Sequence, residues 1–151
     1  MAYNQAWPEQ LVLRLDERSL RGFAKVQRGA GELQVFVPFT CPELTKAALA
    51  QAATLTRNLG ARITLFAVHS EKQGAPVGWL EKKLAGLAEA AGTRADVRIV
   101  FAGDPGLGCT QILPPHSLVV MATKKRWWPT AQMKLAQALA RAGHSVALLE
   151  V

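Results

Sequence analysis

Residues 33–70, LQVFVPFTCPELTKAALAQAATLTRNLGARITLFAVHS, contain two short apolar runs separated by a longer segment with helical spacing. The runs at 33–37 and 62–68 are rich in β-branched and aromatic residues, which is typical of strands covered on both faces. The segment between them carries apolar residues at the spacing of one helix face, namely Leu44, Ala48, Ala52, Leu55 and Leu59. The stretch therefore predicts a strand, a helix and a second strand in succession.

Both ends of this predicted helix carry local signals. Thr40 and Glu43 have the spacing of a capping box, and Pro42 is tolerated in the first turn of a helix. Gly60 supplies a left-handed stop at the other end. We therefore expect Thr40 to cap the helix and Gly60 to end it.

The same unit recurs in the rest of the chain. Further strands are predicted at 97–101, 117–122 and 145–149. Two more helices are indicated by apolar residues at helical spacing: Leu80, Leu84, Leu87, Ala88 and Ala91 in the first, and Met133, Ala136, Leu139 and Ala140 in the second. The first should stop at Gly92, and the second should have Pro129 in its first turn and Gly143 at its end.

Strands that alternate with helices at such short intervals pair in parallel, because each crossover returns over one face of the sheet. Right-handed crossovers place helices on both faces. The predicted fold is a doubly wound α/β domain with a five-stranded parallel sheet over residues 33–151.

Residues 1–32 do not follow this pattern. Residues 11–16, LVLRLD, alternate leucine with valine or a charged residue, as in a strand with one wet face. Residues 20–26 fit either a helical turn or a returning strand. We expect an appended β-hairpin or arm, joined to the main domain near residues 29–31.

The composition suits one such domain. The chain has 151 residues, of which 50% are apolar, a formal net charge of +7 and a mean hydropathy of +0.10. This apolar content excludes a disordered chain, and no uncharged apolar run approaches the roughly 20 residues that span a bilayer. Two cysteines, Cys41 and Cys109, do not make a disulfide framework, and the first residues lack the order of a signal peptide. A cytoplasmic location is therefore expected.

Several stretches resemble the universal stress protein family. They are VPFTCPE at 37–43, AAL at 47–49, LGARITL at 59–65, GDP at 103–105 and LVVMAT at 118–123. The resemblance covers roughly residues 33–151. It implies the strand order 3-2-1-4-5 and a homodimer formed through an edge strand.

The ATP motif of that family is missing. Nucleotide-binding members carry an acidic residue at the end of the first strand and Gly-x2-Gly-x9-Gly-Ser/Thr after the fourth. Carried over without a gap, these positions fall on Thr40, Cys41, Ala122, Lys125, Leu135 and Ala136, which all depart from the pattern. A side chain at a phosphate-binding glycine blocks the approach of the backbone. The resemblance therefore implies a degenerate member, with ATP and AMP disfavoured and no cofactor expected.

A crevice is expected where the strand order reverses, between the first and fourth strands. The candidate ligand-binding residues are Thr40, Cys41, His69, Thr123, Lys124, Lys125 and Arg126. The cations and a helix amino terminus could hold an anion there. Alternatively the cations are simply solvated, Thr40 is only a cap, and His69 has a hydrogen-bonded structural role.

The segment after the basic cluster contains two adjacent tryptophans, Trp127 and Trp128. They could stack a base, meet a membrane surface or anchor a partner, or one ring could pack inward. Nucleic acid is the less favoured partner, because no aromatic array accompanies them. The three histidines are too scattered to predict a metal site, and no catalytic residue is assigned.

Three functions are compatible with this pattern. The first is a non-enzymatic regulatory domain that dimerises through its terminal edge strand, where Val146 and Leu148 mark the interaction surface. The second is a sensor of a nucleotide or small anion in the modified crevice. The third is an accessory domain of a membrane transporter, with Lys124–Trp128 facing anionic lipid.

Overall fold

The computed structural model describes residues 34–57, 61–69, 77–92, 94–101, 113–114, 117–125 and 130–151. The arm predicted at 1–32 and the helix stop predicted at Gly60 lie outside the described residues.

Strands and helices alternate in the described part of the chain except between the third and fourth strands, where most of the connection lies outside the described residues. The elements are β1 (Gln34–Pro38), α1 (Pro42–Thr56), β2 (Arg62–His69), α2 (Val77–Ala90), β3 (Ala95–Phe101), β4 (Leu118–Thr123), α3 (Ala131–Arg141) and β5 (Ser145–Glu150). Every strand predicted from residue 33 onward is present. No helix in these residues is long and apolar enough to cross a membrane.

The five strands form one parallel sheet in the order β3-β2-β1-β4-β5. This confirms the predicted topology. The order reverses at β1, which pairs with β2 on one side and with β4 on the other. The carboxyl ends of β1 and β4 are therefore neighbours although residues 39–117 separate the two strands in the sequence.

Each face of the sheet is covered by apolar packing. On one face, Val37 of β1 lies in a cluster with Leu49 of α1 and Leu84 of α2. On the other face, the rings of Phe36 and Phe66 meet edge to face, with centroids 6.5 Å apart, in the cluster that α3 covers. Burial of such side chains is the main favourable contribution to folding, at about 1.5–3 kcal/mol each.

The amino-terminal ends of two helices differ from the prediction. Thr40 does not cap α1: its N–H donates to Oγ1 of Thr45 at 3.1 Å, and Cys41 occupies the N-cap position without a side-chain cap. The chain remains extended one residue beyond β1, because the N–H of Phe39 still donates to the carbonyl of Phe66. The helix consequently starts one residue later than a cap at Thr40 allows.

The start of α3 is also later than expected. Pro129 was predicted in the first turn, but Thr130 is the N-cap and the helix begins at Ala131. Oγ1 of Thr130 accepts the N–H of Met133 at 3.1 Å, which is the usual bond of a threonine cap. The cap therefore determines the helix start, and Pro129 precedes it.

Two predicted helix stops are confirmed. Gly92 follows α2 with a φ of 65°, and Gly143 follows α3 with a φ of 96°. Both values lie in the region that residues with a β-carbon rarely adopt.

The amino-terminal ends of β4 and β5 are joined through a buried histidine. The N–H of Ser117 donates to Nδ1 of His144 at 3.2 Å, and the N–H of Ser145 donates to the carbonyl of Ser117 at 2.9 Å. His144 therefore links β4 to β5 at the amino-terminal end of the sheet.

Candidate functional site

The candidate site lies at the carboxyl ends of β1 and β4. β1 and β4 pair in parallel with Phe36 opposite Val119, so their carboxyl ends lie side by side. Thr40 follows β1 by two residues, and Thr123 is the last residue of β4. Ligands of open α/β sheets bind at such a reversal of strand order. The structure thus brings the segments containing Thr40, Cys41 and Thr123–Lys125 to the carboxyl-terminal end of the sheet, which forms the edge of the candidate site.

A pair of threonine hydroxyls lies at the β4 side of this edge. Oγ1 of Thr123 and Oγ1 of Thr130 are 2.7 Å apart and share a hydrogen bond. Thr123 is buried and Thr130 half-buried. Thr130 was not among the sequence candidates, although a hydroxyl residue directly before an apolar helical repeat is a signal for an N-cap.

Lys124 and Lys125 continue the chain beyond β4 with exposed side chains. The backbone there keeps pairing with the end of the chain: the N–H of Val151 donates to the carbonyl of Thr123 at 2.9 Å, and the N–H of Lys125 donates to that of Val151 at 3.1 Å. Backbone hydrogen bonds therefore hold the segment that carries the cationic side chains of Lys124 and Lys125 at the carboxyl end of the sheet. Arg126, Trp127 and Trp128 lie outside the described residues.

Thr40 and Cys41 form the β1 side of the edge. Both are half-buried, and Cys41 is a free thiol packed against the cluster under α1. The carbonyl of Cys41 accepts the N–H of Thr45 at 2.9 Å, which is the first turn of the helix. The two residues lie in the connection from β1 to α1.

His69 lies at the carboxyl end of the strand that pairs with β1 on the side away from β4. It ends β2, and β1 lies between β2 and β4. Its ring lies 5.5 Å from the ring of Phe101 on β3, at an interplanar angle of 60°. His69 therefore contacts the strand on the far side from Thr123.

Three of the positions onto which the phosphate-loop motif was carried over, Ala122, Leu135 and Ala136, have packed side chains, whereas Lys125 is exposed. Ala122 is buried in the cluster under α1, and Ala136 is fully buried in the cluster under α3. Leu135 and Ala136 lie inside α3, where each N–H donates to a carbonyl of the preceding turn. These backbone groups are therefore committed to the helix.

The described residues hold no group of three histidine, cysteine, aspartate or glutamate side chains that could bind a metal ion. Val146 of β5 is fully buried and Leu148 is half-buried, both packed against the α3 cluster. Ala147 is only 1% exposed, so the more accessible part of β5 is its carboxyl-terminal half, from Leu148 to Glu150.

No family model and no curated protein matches the sequence. Solved structures do match. A universal stress protein in complex with cAMP has a TM-score of 0.52 at 16% identity, covering 80% of this chain and 96% of its own. A universal stress protein from Archaeoglobus fulgidus has a TM-score of 0.56 at 10% identity, covering 82% and 97%. The hypothetical protein MJ0577 has a TM-score of 0.55 at 11% identity, covering 80% and 96%.

These likenesses extend over nearly the whole length of the matched proteins and agree with the strand order 3-2-1-4-5 found here. The resemblance stated from residues 33–151 is thereby confirmed at the level of the fold. The chain has the fold of the universal stress proteins.

Proposed function

We propose that this chain is a non-enzymatic regulatory domain that acts through association with other proteins and does not bind ATP through a phosphate loop. The observation that supports this most directly is the burial of Ala136 inside α3. A triphosphate needs free N–H groups and close backbone approach, and neither is available in the second turn of a packed helix.

Association is proposed through β5. This strand pairs with β4 on one side, and its other side carries no strand of the five-stranded sheet. An edge strand with an apolar sequence is a template for pairing with a second copy of the chain. The proposed assembly is a homodimer in which two β5 strands pair across a twofold axis.

Two measurements test this function. Isothermal titration calorimetry with MgATP should give no heat of binding at millimolar nucleotide. Sedimentation equilibrium should give a species larger than the monomer at micromolar protein. Saturable ATP binding that survives charge removal at Lys124 and Lys125 contradicts the nucleotide part, and a monomer at all concentrations contradicts the association part.

A second candidate function is supported by the charged and hydroxyl groups at the carboxyl end of β4. Lys124 and Lys125 are exposed beside the Thr123–Thr130 hydroxyl pair, so cations and hydroxyl groups occur together at the rim. Such groups bind phosphate and similar anions. In this alternative the domain senses a nucleotide or small anion by a route that does not use glycines.

Titration with inorganic phosphate, AMP, ATP and cyclic dinucleotides tests the second candidate. If it is correct, the double variant Lys124→Ala/Lys125→Ala should weaken binding about tenfold, which corresponds to loss of charge-assisted contacts. The matched control is Lys46→Ala/Lys82→Ala, which removes the same charge from exposed positions on α1 and α2. Equal affinities of the two double variants would exclude the crevice. The transporter alternative depends on Lys124–Trp128, of which residues 126–128 lie outside the described residues. It stays a prediction, testable by co-sedimentation with anionic vesicles at low salt.

A further inference from the structure

The edge of the sheet opposite β5 carries exposed apolar side chains. Within the described residues, β3 pairs with β2 and with no other strand. Val97 and Phe101 of β3 are 37% and 65% exposed, and Trp79 in the first turn of α2 is 52% exposed. Three of the four exposed large apolar residues in the described part of the chain therefore lie on β3 or on the helix that precedes it.

The two faces of β3 differ in chemistry. Ala95 and Ile99 pack against the cluster under α1 and α2, and Val97 alternates in phase with them. Asp96 and Arg98 lie on the opposite face and are exposed. The strand is thus apolar toward the helical layer and charged with opposite signs on the other face.

We propose that the β3 strands of two copies of this chain pair antiparallel, with Val97 on the twofold axis. A twofold axis perpendicular to the sheet keeps the α1–α2 layer on the same side in both copies. In this register Val97 faces the partner's Val97, and Ala95 faces the partner's Ile99. Asp96 then lies opposite the partner's Arg98, and this pairing occurs twice.

The charges of Asp96 and Arg98 favour the register centred on Val97 over the two registers shifted by one residue. A twofold axis at Asp96 would set that aspartate against its own copy, and an axis at Arg98 would set arginine against arginine. Like charges directly opposite each other in an antiparallel pair are destabilising, whereas opposite charges attract. The sequence of β3 is therefore self-complementary at Val97 and repulsive one residue to either side.

Asp96 is available for a second cation. Its Oδ2 lies 3.8 Å from Nε of Arg62, and both side chains are 56% exposed. An exposed pair at this distance is weak and leaves other oxygen lone pairs of the carboxylate toward solvent. The partner's Arg98 would add to this pair without displacing it.

The proposal goes beyond the β5 dimer. A chain with two different self-complementary edges joins its neighbours at both ends of the sheet. If both edges are used, the assembly is larger than a dimer and grows with protein concentration. If only β3 is used, the assembly is a dimer that depends on Asp96 and Arg98.

Charge reversal at β3 tests the pairing. Asp96→Arg sets arginine against arginine at both contacts, and Arg98→Asp sets aspartate against aspartate, so each variant alone should weaken β3-dependent association about tenfold or more. An equimolar mixture of the two variants places opposite charges at every contact and should restore it, as should the double variant Asp96→Arg/Arg98→Asp. Both positions are exposed, so the circular dichroism of each variant should match that of the original chain.

Disulfide cross-linking through position 97 detects pairing of two β3 strands independently of any pairing through β5. In a Cys41→Ser/Cys109→Ser background, Val97→Cys should cross-link two copies, because residues directly opposite in an antiparallel pair have Cα atoms about 4.5–5.5 Å apart, within the range of a disulfide. Arg94→Cys is the matched control, since the proposed register keeps its two copies far apart. Adding Asp96→Arg to Val97→Cys should slow cross-linking, and mixing that protein with Arg98→Asp/Val97→Cys should restore it.

The outcomes are separable. Cross-linking at Val97 that follows the charge pattern supports the β3 interface, whether or not β5 dimerises. Cross-linking that ignores the charges, or equal yields from Val97→Cys and Arg94→Cys, overturns it. Loss of a β5 dimer with retained cross-linking at Val97 would contradict the proposed function alone.

Discussion

Thr123 and Thr130 are joined hydroxyl to hydroxyl at 2.7 Å across the connection from β4 to α3. Thr123 is the last residue of β4, and Thr130 is the N-cap of α3. Oγ1 of Thr130 also accepts the N–H of Met133. One hydroxyl therefore fixes the start of the helix and holds that start against the end of β4.

Thr130→Val should lower the free energy of unfolding by about 1 kcal/mol, because valine has a similar shape but cannot accept the N–H of Met133. Urea denaturation followed by circular dichroism measures the change. Thr130→Ser keeps the hydroxyl and should lose less than half as much. Equal losses for serine and valine would show that the cap bond is not responsible.

His144→Leu should destabilise the fold by about 1–3 kcal/mol, because it leaves the buried N–H of Ser117 without its acceptor. His144→Asn is the control, since its Oδ1 can take the place of Nδ1. Denaturant midpoints compare the two variants. A leucine variant as stable as the asparagine variant would contradict this role of His144.

Gly86 and Gly92 provide a matched pair for backbone effects. A β-carbon at either position would meet nothing within 4 Å, but Gly92 has a φ of +65° whereas Gly86 lies inside α2. Gly86→Ala should therefore stabilise the protein by about 0.5–1 kcal/mol, and Gly92→Ala should destabilise it by a similar amount. Thermal melts would test this, and shifts of the same sign at both sites would refute it.

Ala136→Ser places a hydroxyl at the position where the family motif has one. Because Ala136 is fully buried in the α3 cluster, the added hydroxyl should cost about 1–3 kcal/mol and should create no ATP binding. Chemical denaturation and ATP calorimetry on the same sample test both parts. A gain of ATP affinity would mean that position 136 reaches the crevice.

The sheet could be predicted from the sequence because its signals are local and repeated. The runs that became β1, β2 and β4 are mainly apolar, as burial on both faces requires. Gly92 and Gly143 marked helix ends through their backbone freedom. The strand order came from the family resemblance, since periodicity says nothing about which strands are neighbours.

The details of the candidate site were harder to predict because they depend on contacts between elements. The extra backbone bond from Phe39 to Phe66 moved the start of α1 past Thr40. Thr130 was passed over because the expected first turn of α3 contained Pro129, whereas Thr130 caps a helix that begins at Ala131. Apolar spacing alone does not fix the residue at which a helix starts.

The placement of β1 has a consequence during synthesis. Its two neighbours come from opposite directions along the chain: β2 follows soon after it, whereas β4 is made only when residues 118–123 emerge from the ribosome. Until then the nascent protein presents Val35 and Val37, which are fully buried in the finished fold, on an open strand edge. This half-made intermediate, rather than the native state, is where we expect the protein to be most prone to aggregation.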